Sequence, residues 1–238
     1  MSITHGWTSA ATPDGSDVTP TNMNDHAWTG VGSDGTVLAA VSADVAWQFV
    51  LPDIQNITGG WSGSSSALAI TVASVTGRTY YACVGSASAG PTSITQTNVT
   101  WTQLYTGDDG SRWTELWKGV PSGTPGTTAT VNFAVARKVG VSMWTEPVAY
   151  TSATAIGTST GGGARTVYAS PTPSLGAEIA VLAYPDTATN TYSSASQPII
   201  VVGGGQPTAL RAHLWGPTFQ CQVTPDAGSE RLAVLSLA

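Results

Sequence analysis

The stretch NVTWTQLYTGDDGSRWTELWKGV, residues Asn98–Val120, decides the fold class of this chain. Two runs rich in Thr, Val, Tyr and Trp flank a Gly-Asp-Asp-Gly-Ser turn, which is typical of a β-hairpin. Trp101, Trp113 and Trp117 make this stretch the densest aromatic block of the sequence. It contains no cluster of catalytic or metal-ligating residues. We therefore interpret it as the framework of an all-β domain whose tryptophans mainly pack in the core.

Short candidate strands separated by turn residues continue on both sides of this hairpin, from Ala67–Ala73 to Arg231–Leu237. No helix-length 3.6-residue periodicity separates them, so the pattern predicts a β-sandwich, either a jelly roll or a related Greek key. We place this body at residues 36–238. The Gly/Ser-rich segment Gly59–Ser66 indicates a hinge within it. In the first candidate strand, Leu68, Ile70 and Val72 share one face and are predicted core residues.

Residues 1–35 are polar, contain Gly and Pro throughout, and show no sustained period. Between Thr19 and Gly30, a Thr N-cap followed by Pro20 predicts one short helix. A helix of this length is marginal in water on its own. We therefore predict an extended anchoring arm that docks on the chain's own body or on another subunit. The expected anchoring residues are Pro20, Met23, Asn24 and Trp28.

Charge limits the classes of partner. Charged residues make up 9% of the 238 residues and the net charge is −6, whereas an ordinary soluble domain is about 25% charged. This balance argues against binding nucleic acid through phosphate contacts. We also expect no membrane insertion, because no window reaches the roughly 18 apolar residues of a spanning segment. The N-terminus has no visible secretory signal, so we expect synthesis in a cytosol.

Few residues offer catalytic or metal chemistry. The three histidines are scattered and lack metal-ligand spacing, and they are His5, His26 and His213. Four glutamates could include a glycosidase pair, but solvated strand positions also explain them; they are Glu115, Glu146, Glu178 and Glu230. We predict no enzyme activity, no metal and no cofactor. Cys83 and Cys221 fit two buried thiols or a disulfide between facing sheets.

Asp108 and Asp109 form a candidate surface-binding loop at the tip of the hairpin. Calcium binding through these carboxylates is an alternative, but the loop does not match the twelve-residue EF-hand pattern. A turn in which Asp hydrogen-bonds its own backbone explains the sequence more simply. The nine tryptophans leave a further possibility open, because an exposed Trp or Tyr can stack on sugar rings.

Two segments resemble proteins of tailed-phage particles. The N-terminal TPDGSDVTPTNMNDHAWTGV is similar to the short leader of phage surface proteins, in which it precedes an anchoring or trimerising region. In the body, the pairs Thr100-Trp101, Leu116-Trp117, Gly119-Val120 and Thr130-Val131 resemble the strand pattern of a β-sandwich domain that recurs in phage virion proteins and some bacterial surface proteins.

The resemblance implies a structural protein on the surface of a virion, made in the host cytoplasm. It would decorate or stabilise the capsid through its arm, contact other virion proteins, and form a homo-oligomer such as a trimer. A tail fibre is an alternative, as is a module that binds a host surface glycan. A hydrolase acting on such a glycan is a third class.

Overall fold

The computed structural model describes the side chains of residues 53–161, 178–182, 211 and 231–238, and elsewhere only the backbone of the strands given below. Within these residues the chain is all-β, with seventeen strands, antiparallel pairing and no helix. The contacts divide it into two compact units, Met1–Val50 and Leu51–Ala238. No helix in the described part has the length and apolarity to span a bilayer.

The first unit contains a three-stranded antiparallel sheet. Its strands follow one another in the order β1 (Ser2–Gly6), β2 (Ala27–Val31) and β3 (Val37–Ala40). Two strands therefore lie inside the segment predicted as an extended arm. The predicted helix is wrong at its C-terminal end, because Trp28 belongs to β2, where it pairs with both neighbouring strands. Pro20, Met23 and Asn24 lie outside the described residues.

A six-stranded sheet forms the centre of the second unit. Its strands are β4 (Gln55–Thr71), β5 (Thr79–Ala87), β6 (Ser93–Thr95), β7 (Val99–Asp108), β8 (Arg112–Pro121) and β9 (Thr128–Glu146). The order is β4-β9-β5-β8-β7, with β6 paired to the first part of β9. The predicted hairpin is confirmed as β7 and β8. Every residue of β5 from Thr79 to Ser86 is buried, because both faces of this strand are covered.

One face of β5 is covered because β4 and β9 bend. The first half of β4 pairs with the second half of β9, and the second half of β4 pairs with the first half of β9. The register shifts around Ser65. The strand folds back far enough for the Thr58 hydroxyl to donate to the carbonyl of Thr71 at 3.0 Å. A Cβ on Gly60 would meet Ile70 Cδ1 at 2.5 Å. The Gly/Ser segment expected to be a hinge thus bends a continuous strand, where small residues allow the two halves to approach.

A buried apolar cluster fills the space between the folded halves. Val84 of β5 and Val141 of β9 pack there against Ile70 of β4 and Val72, the residue after β4. Leu68 lies at the edge of the cluster, so the predicted core face is confirmed. From the sequence alone, Ala129–Ala134 and Val139–Val148 are two separate candidate strands, with other residues between them. The structure joins them into the single bent strand β9, because pairing with β4 continues on both sides of the bend.

The rest of the second unit contains eight strands. They are β10 (Ala153–Gly162), β11 (Arg165–Tyr168), β12 (Glu178–Tyr184), β13 (Asn190–Ser193), β14 (Ile200–Val202), β15 (Ala209–His213), β16 (Gln220–Pro225) and β17 (Ser229–Leu237). Five form a sheet in the order β10-β17-β12-β15-β14, and β11-β16-β13 form another. The five-stranded sheet packs on the other face of the central sheet: Leu182 and Leu235 share a buried cluster with Tyr81, Leu116 and Trp144.

Candidate functional site

The tip of the β7–β8 hairpin carries the predicted surface loop. Asp108 and Asp109 are exposed, as expected. Asp108 Oδ1 accepts the N–H of Gly110 at 2.9 Å. Asp109 Oδ1 accepts the N–H groups of Ser111 and Arg112 at 3.0 and 2.8 Å, while its Oδ2 pairs with the Arg112 guanidinium at 2.8 Å. Both carboxylates thus bond within the turn, and Gly110 supplies the positive φ of 85° that the turn requires.

These bonds set the pKa of Asp109. Partial burial on its own would raise this pKa, but the hydrogen bonds from Ser111 and Arg112 and the charge of Arg112 together outweigh burial and lower it. The adjoining loop is bonded to the same tip, because the Ser88 N–H donates to the Ser111 carbonyl at 2.7 Å. The tip is therefore a preformed surface in which the carboxylates position the backbone.

A second carboxylate, Glu115 of β8, is buried against neutral donors. Its Oε2 accepts the indole N–H of Trp117 at 2.7 Å, and its Oε1 accepts the hydroxyl of Thr106 at 3.2 Å. Gly90 lies directly over the carboxylate, since a Cβ there would be 1.9 Å from Oε1. Burial raises the pKa of Glu115, against hydrogen bonds from Trp117, Gln103 and Thr106 that lower it. The sequence-based expectation of a solvated strand position is wrong for this glutamate.

The third group lies between the central and the five-stranded sheets. Arg211 of β15 is fully buried and binds Glu146 of β9 through Nε at 2.8 Å and through Nη2 at 3.0 Å. Nη2 also lies 3.3 Å from Glu178 Oε2, and Nη1 donates to the carbonyl of Ile179. The structure thus brings together two of the four glutamates that sequence could not pair. Glu146 is 1% exposed, so the expected solvated position is wrong here as well.

Three aromatic side chains extend the network around the Arg211–Glu146 ion pair. Glu146 also accepts the indole N–H of Trp144 at 2.5 Å and the hydroxyl of Tyr150 at 3.2 Å. The Arg211 guanidinium carbon lies 5.4 Å from the centre of the Tyr150 ring. Tyr81 stacks on Trp144 at 5.7 Å, donates its hydroxyl to the Val148 carbonyl and accepts the Tyr150 N–H. These side-chain contacts connect β5, the end of β9 and the loop after β9.

Electrostatics explain why this arrangement is stable although buried. Burial alone would lower the pKa of Arg211, but the negative charge of Glu146 and its hydrogen bonds outweigh burial and raise it. Burial also raises the pKa of Tyr150 and of Tyr81. Both oxygens of Glu146 are occupied by internal donors, which suits a bond between sheets rather than proton transfer to a substrate.

Sequence reasoning missed Arg211, although one signal was available. Its strand, ALRAH, places a charge between apolar neighbours in a chain that is only 9% charged. A buried charge needs a partner. The partner is 65 positions away, and only the folded sheets reveal which of the four glutamates it is.

The bend of β4 and β9 forms the fourth feature. Arg137 donates from Nη1 to the carbonyls of Ala87 and Ala89, at 3.3 and 2.8 Å, and lies 5.3 Å from the centre of the Phe133 ring. It thereby fixes the bend of β9 to the loop after β5.

On the paired part of β4, Trp61 is 39% exposed. Trp117, from the predicted aromatic block, is buried instead.

Metal-ligand chemistry is sparse in the described part of the chain, where no group of three or more His, Cys, Asp or Glu residues is placed to hold an ion. The side chains of His5, His26, His213, Glu230 and Cys221 lie outside the described residues. Cys83 is buried in the cluster between the two sheets. Comparison of the chain with models of known families, with curated proteins and with solved structures gives no match.

Proposed function

We propose that this chain is a structural protein on the surface of a phage-like particle, where its N-terminal unit anchors it and its body covers or stabilises the capsid. The observation that carries the proposal is the division into a small unit, Met1–Val50, and a larger one, Leu51–Ala238. A chain that must both attach to a shell and present a surface needs two such parts. The resemblance of residues 12–31 to phage leader segments supports giving the anchoring role to the first.

The body suits a mechanical role. We propose that it is a β-sandwich of the jelly-roll or Greek-key type, because its central sheet shares a buried cluster with the five-stranded sheet. The Arg211–Glu146 ion pair joins the two sheets, and Arg137 fixes the bend. A rigid body presented in many copies stabilises a particle through contacts that are individually weak. A homo-oligomer, such as a trimer, would supply this multiplicity, and its partners would be capsid proteins rather than nucleic acid.

Location on particles tests this function directly. Antibodies raised against the full chain are applied, with gold labels, to particles purified from the cells that express it. We expect labels at regular positions on the head. Labels confined to the tail would support the tail-fibre alternative instead. Purified particles without the chain, alongside free protein in the same lysate, would contradict both locations.

The anchoring role is tested with the full chain carrying Met23→Ala and Trp28→Ala together. We expect this variant to appear in the lysate but to be depleted from particles, because the anchoring contacts are lost. Val120→Ala, an exposed apolar residue of the body, is the matched control and should be incorporated normally. Equal incorporation of both variants would place the anchor elsewhere.

A further inference from the structure

Trp61 is the exposed aromatic residue of the bend. It lies on β4, an edge strand of the central sheet, and pairs in register with Gly140 of β9. A Cβ on Gly63 would lie 3.2 Å from Cη2 and 3.6 Å from Cζ3 of the indole, so the ring lies over bare backbone at Gly63. Gly63 and the paired Gly140 have no side chains, and 39% of the Trp61 surface is open to solvent.

Four serines follow Trp61 in the sequence of the bend. The bend contains Ser62, Ser64, Ser65 and Ser66. Ser62 Oγ accepts the Ser64 N–H at 3.3 Å and Ser65 Oγ accepts the Ala67 N–H at 3.2 Å, which orients both hydroxyls. A serine hydroxyl has one donor and two acceptor positions. Each of these two therefore retains its donor, and Ser64 and Ser66 are exposed.

Charge narrows the chemistry of a ligand at this surface. No ionisable side chain occurs between residues 55 and 77. On the paired strand, the charged residues next to the bend are Arg137 and Lys138, and Arg137 directs its guanidinium to backbone carbonyls. An indole with neighbouring hydroxyls and few charges complements a ring that has one apolar face and hydroxyls around its rim.

We propose that Trp61 and the serines of the bend bind an uncharged saccharide. The apolar C–H face of one sugar ring stacks on the indole, and hydroxyls of the sugar exchange hydrogen bonds with Ser64 and Ser66. This site goes beyond the structural role and does not depend on where the chain lies on a particle. It would give a surface protein a means of holding the particle against a glycan-coated cell.

The test measures binding of the full chain to immobilised neutral glucans, mannans and galactans, with sialylated glycans as the anionic comparison. We expect binding to at least one neutral glycan, unchanged by about 0.5 M salt because exposed charges are screened there. Trp61→Ala should weaken it about tenfold or more, whereas Trp61→Tyr, which keeps an aromatic platform, should stay within about threefold. Val120 is exposed and apolar and lies on β8, three strands away from β4 in the sheet, so Val120→Ala should bind like the unaltered chain.

Three results would overturn this site. Absence of binding to every neutral glycan is the first. Binding only to the anionic glycans, lost in Lys138→Ala or in high salt, would assign recognition to charge instead. A change in the oligomeric mass of the full chain on Trp61→Ala would show that a second copy covers the indole. Each result can occur with the chain present on particles, so failure here is distinguishable from failure of the structural proposal.

Discussion

Two glutamates of the central sheet are buried to nearly the same extent, but on opposite faces and in different company. Glu146 is 1% exposed and faces the five-stranded sheet, which supplies the guanidinium of Arg211. Glu115 is 3% exposed and lies on the opposite face, where it accepts hydrogen bonds from the hydroxyl of Thr106 and from the indole of Trp117, a residue of the cluster between the folded halves of β4 and β9. One carboxylate is compensated by a charge and the other by neutral hydrogen bonds.

The difference separates two uses of a buried acid. The ion pair of Glu146 joins residues 65 positions apart and bridges two sheets, so it orders long-range structure. The bonds of Glu115 reach only the adjacent strand and its own strand, so they order the local hairpin. Removing the partner from a buried ion pair leaves an uncompensated charge, which is costly. Removing the charge from Glu115 leaves its neutral neighbours compatible with an amide.

Replacement of Arg211 by methionine should have the largest effect. Arg211→Met leaves Glu146 without its cation between the sheets and removes the contact of Arg211 with Glu178. We expect a loss of about 3–5 kcal/mol in the free energy of unfolding. Urea titration followed by circular dichroism measures it. Arg112→Met is the matched control, because its ion pair with Asp109 lies at the surface and should contribute less than about 1 kcal/mol. Equal losses in the two variants would contradict a structural role for the buried pair.

The coupling between Arg211 and Glu146 should be the next largest effect. Glu146→Gln keeps acceptor and donor atoms for Trp144 and Tyr150 but removes the charge. We expect the double variant with Arg211→Met to be more stable than the sum of the two single losses predicts, by about 0.5–3 kcal/mol. The same urea titrations complete the double-mutant cycle. Strict additivity would mean that the two side chains act independently despite their 2.8 Å contact.

Local sequence features predicted the fold class and the hairpin. The β-prone residues and the Gly-Asp-Asp-Gly-Ser turn predict strands at Val99–Thr106 and Arg112–Val120, and their ends lie within two residues of those of β7 and β8. They were also enough to place Ile70 and Val72 in the core. These signals lie within a few residues of one another, so neighbouring positions contain the information.

Features that depend on distant pairing could not be predicted in the same way. The Gly/Ser segment marked a special position correctly, yet glycine and serine serve a linker and a strand bend alike. Only the pairing of β4 with β9 on both sides of Ser65 distinguishes the two. The partner of Arg211 and the burial of Glu115 likewise depend on which faces the folded sheets cover.

Glu115 should give the third effect, visible in its pH dependence. Because burial raises its pKa above the ordinary value of 4.5, the folded state holds this proton at pH values where the unfolded chain has released it. Stability from this group is therefore fully present below the ordinary pKa and is lost as pH rises toward the folded value. Glu115→Gln removes that loss. Unfolding titrations from about pH 4 to about pH 8 should show the unaltered chain declining relative to the variant. A constant difference across this range would contradict the assignment.

Asp109 should give the smallest effect and the opposite slope. Its pKa lies below the ordinary value of 3.8, so its contribution is present above that value and is lost as pH falls through the folded pKa. Asp109→Asn keeps an acceptor for the Ser111 and Arg112 N–H groups and removes only the surface ion pair, so we expect less than about 1 kcal/mol at neutral pH, reduced further by salt. Asp109→Ala removes the acceptor as well and should cost more in the same urea titration. If the two variants lose the same stability, the backbone bonds of Asp109 contribute nothing and the tip is not a preformed surface. If Asp109→Asn hardly changes the stability, this variant removes charge from the tip while preserving its shape. It is then suitable for asking whether a partner recognises that charge.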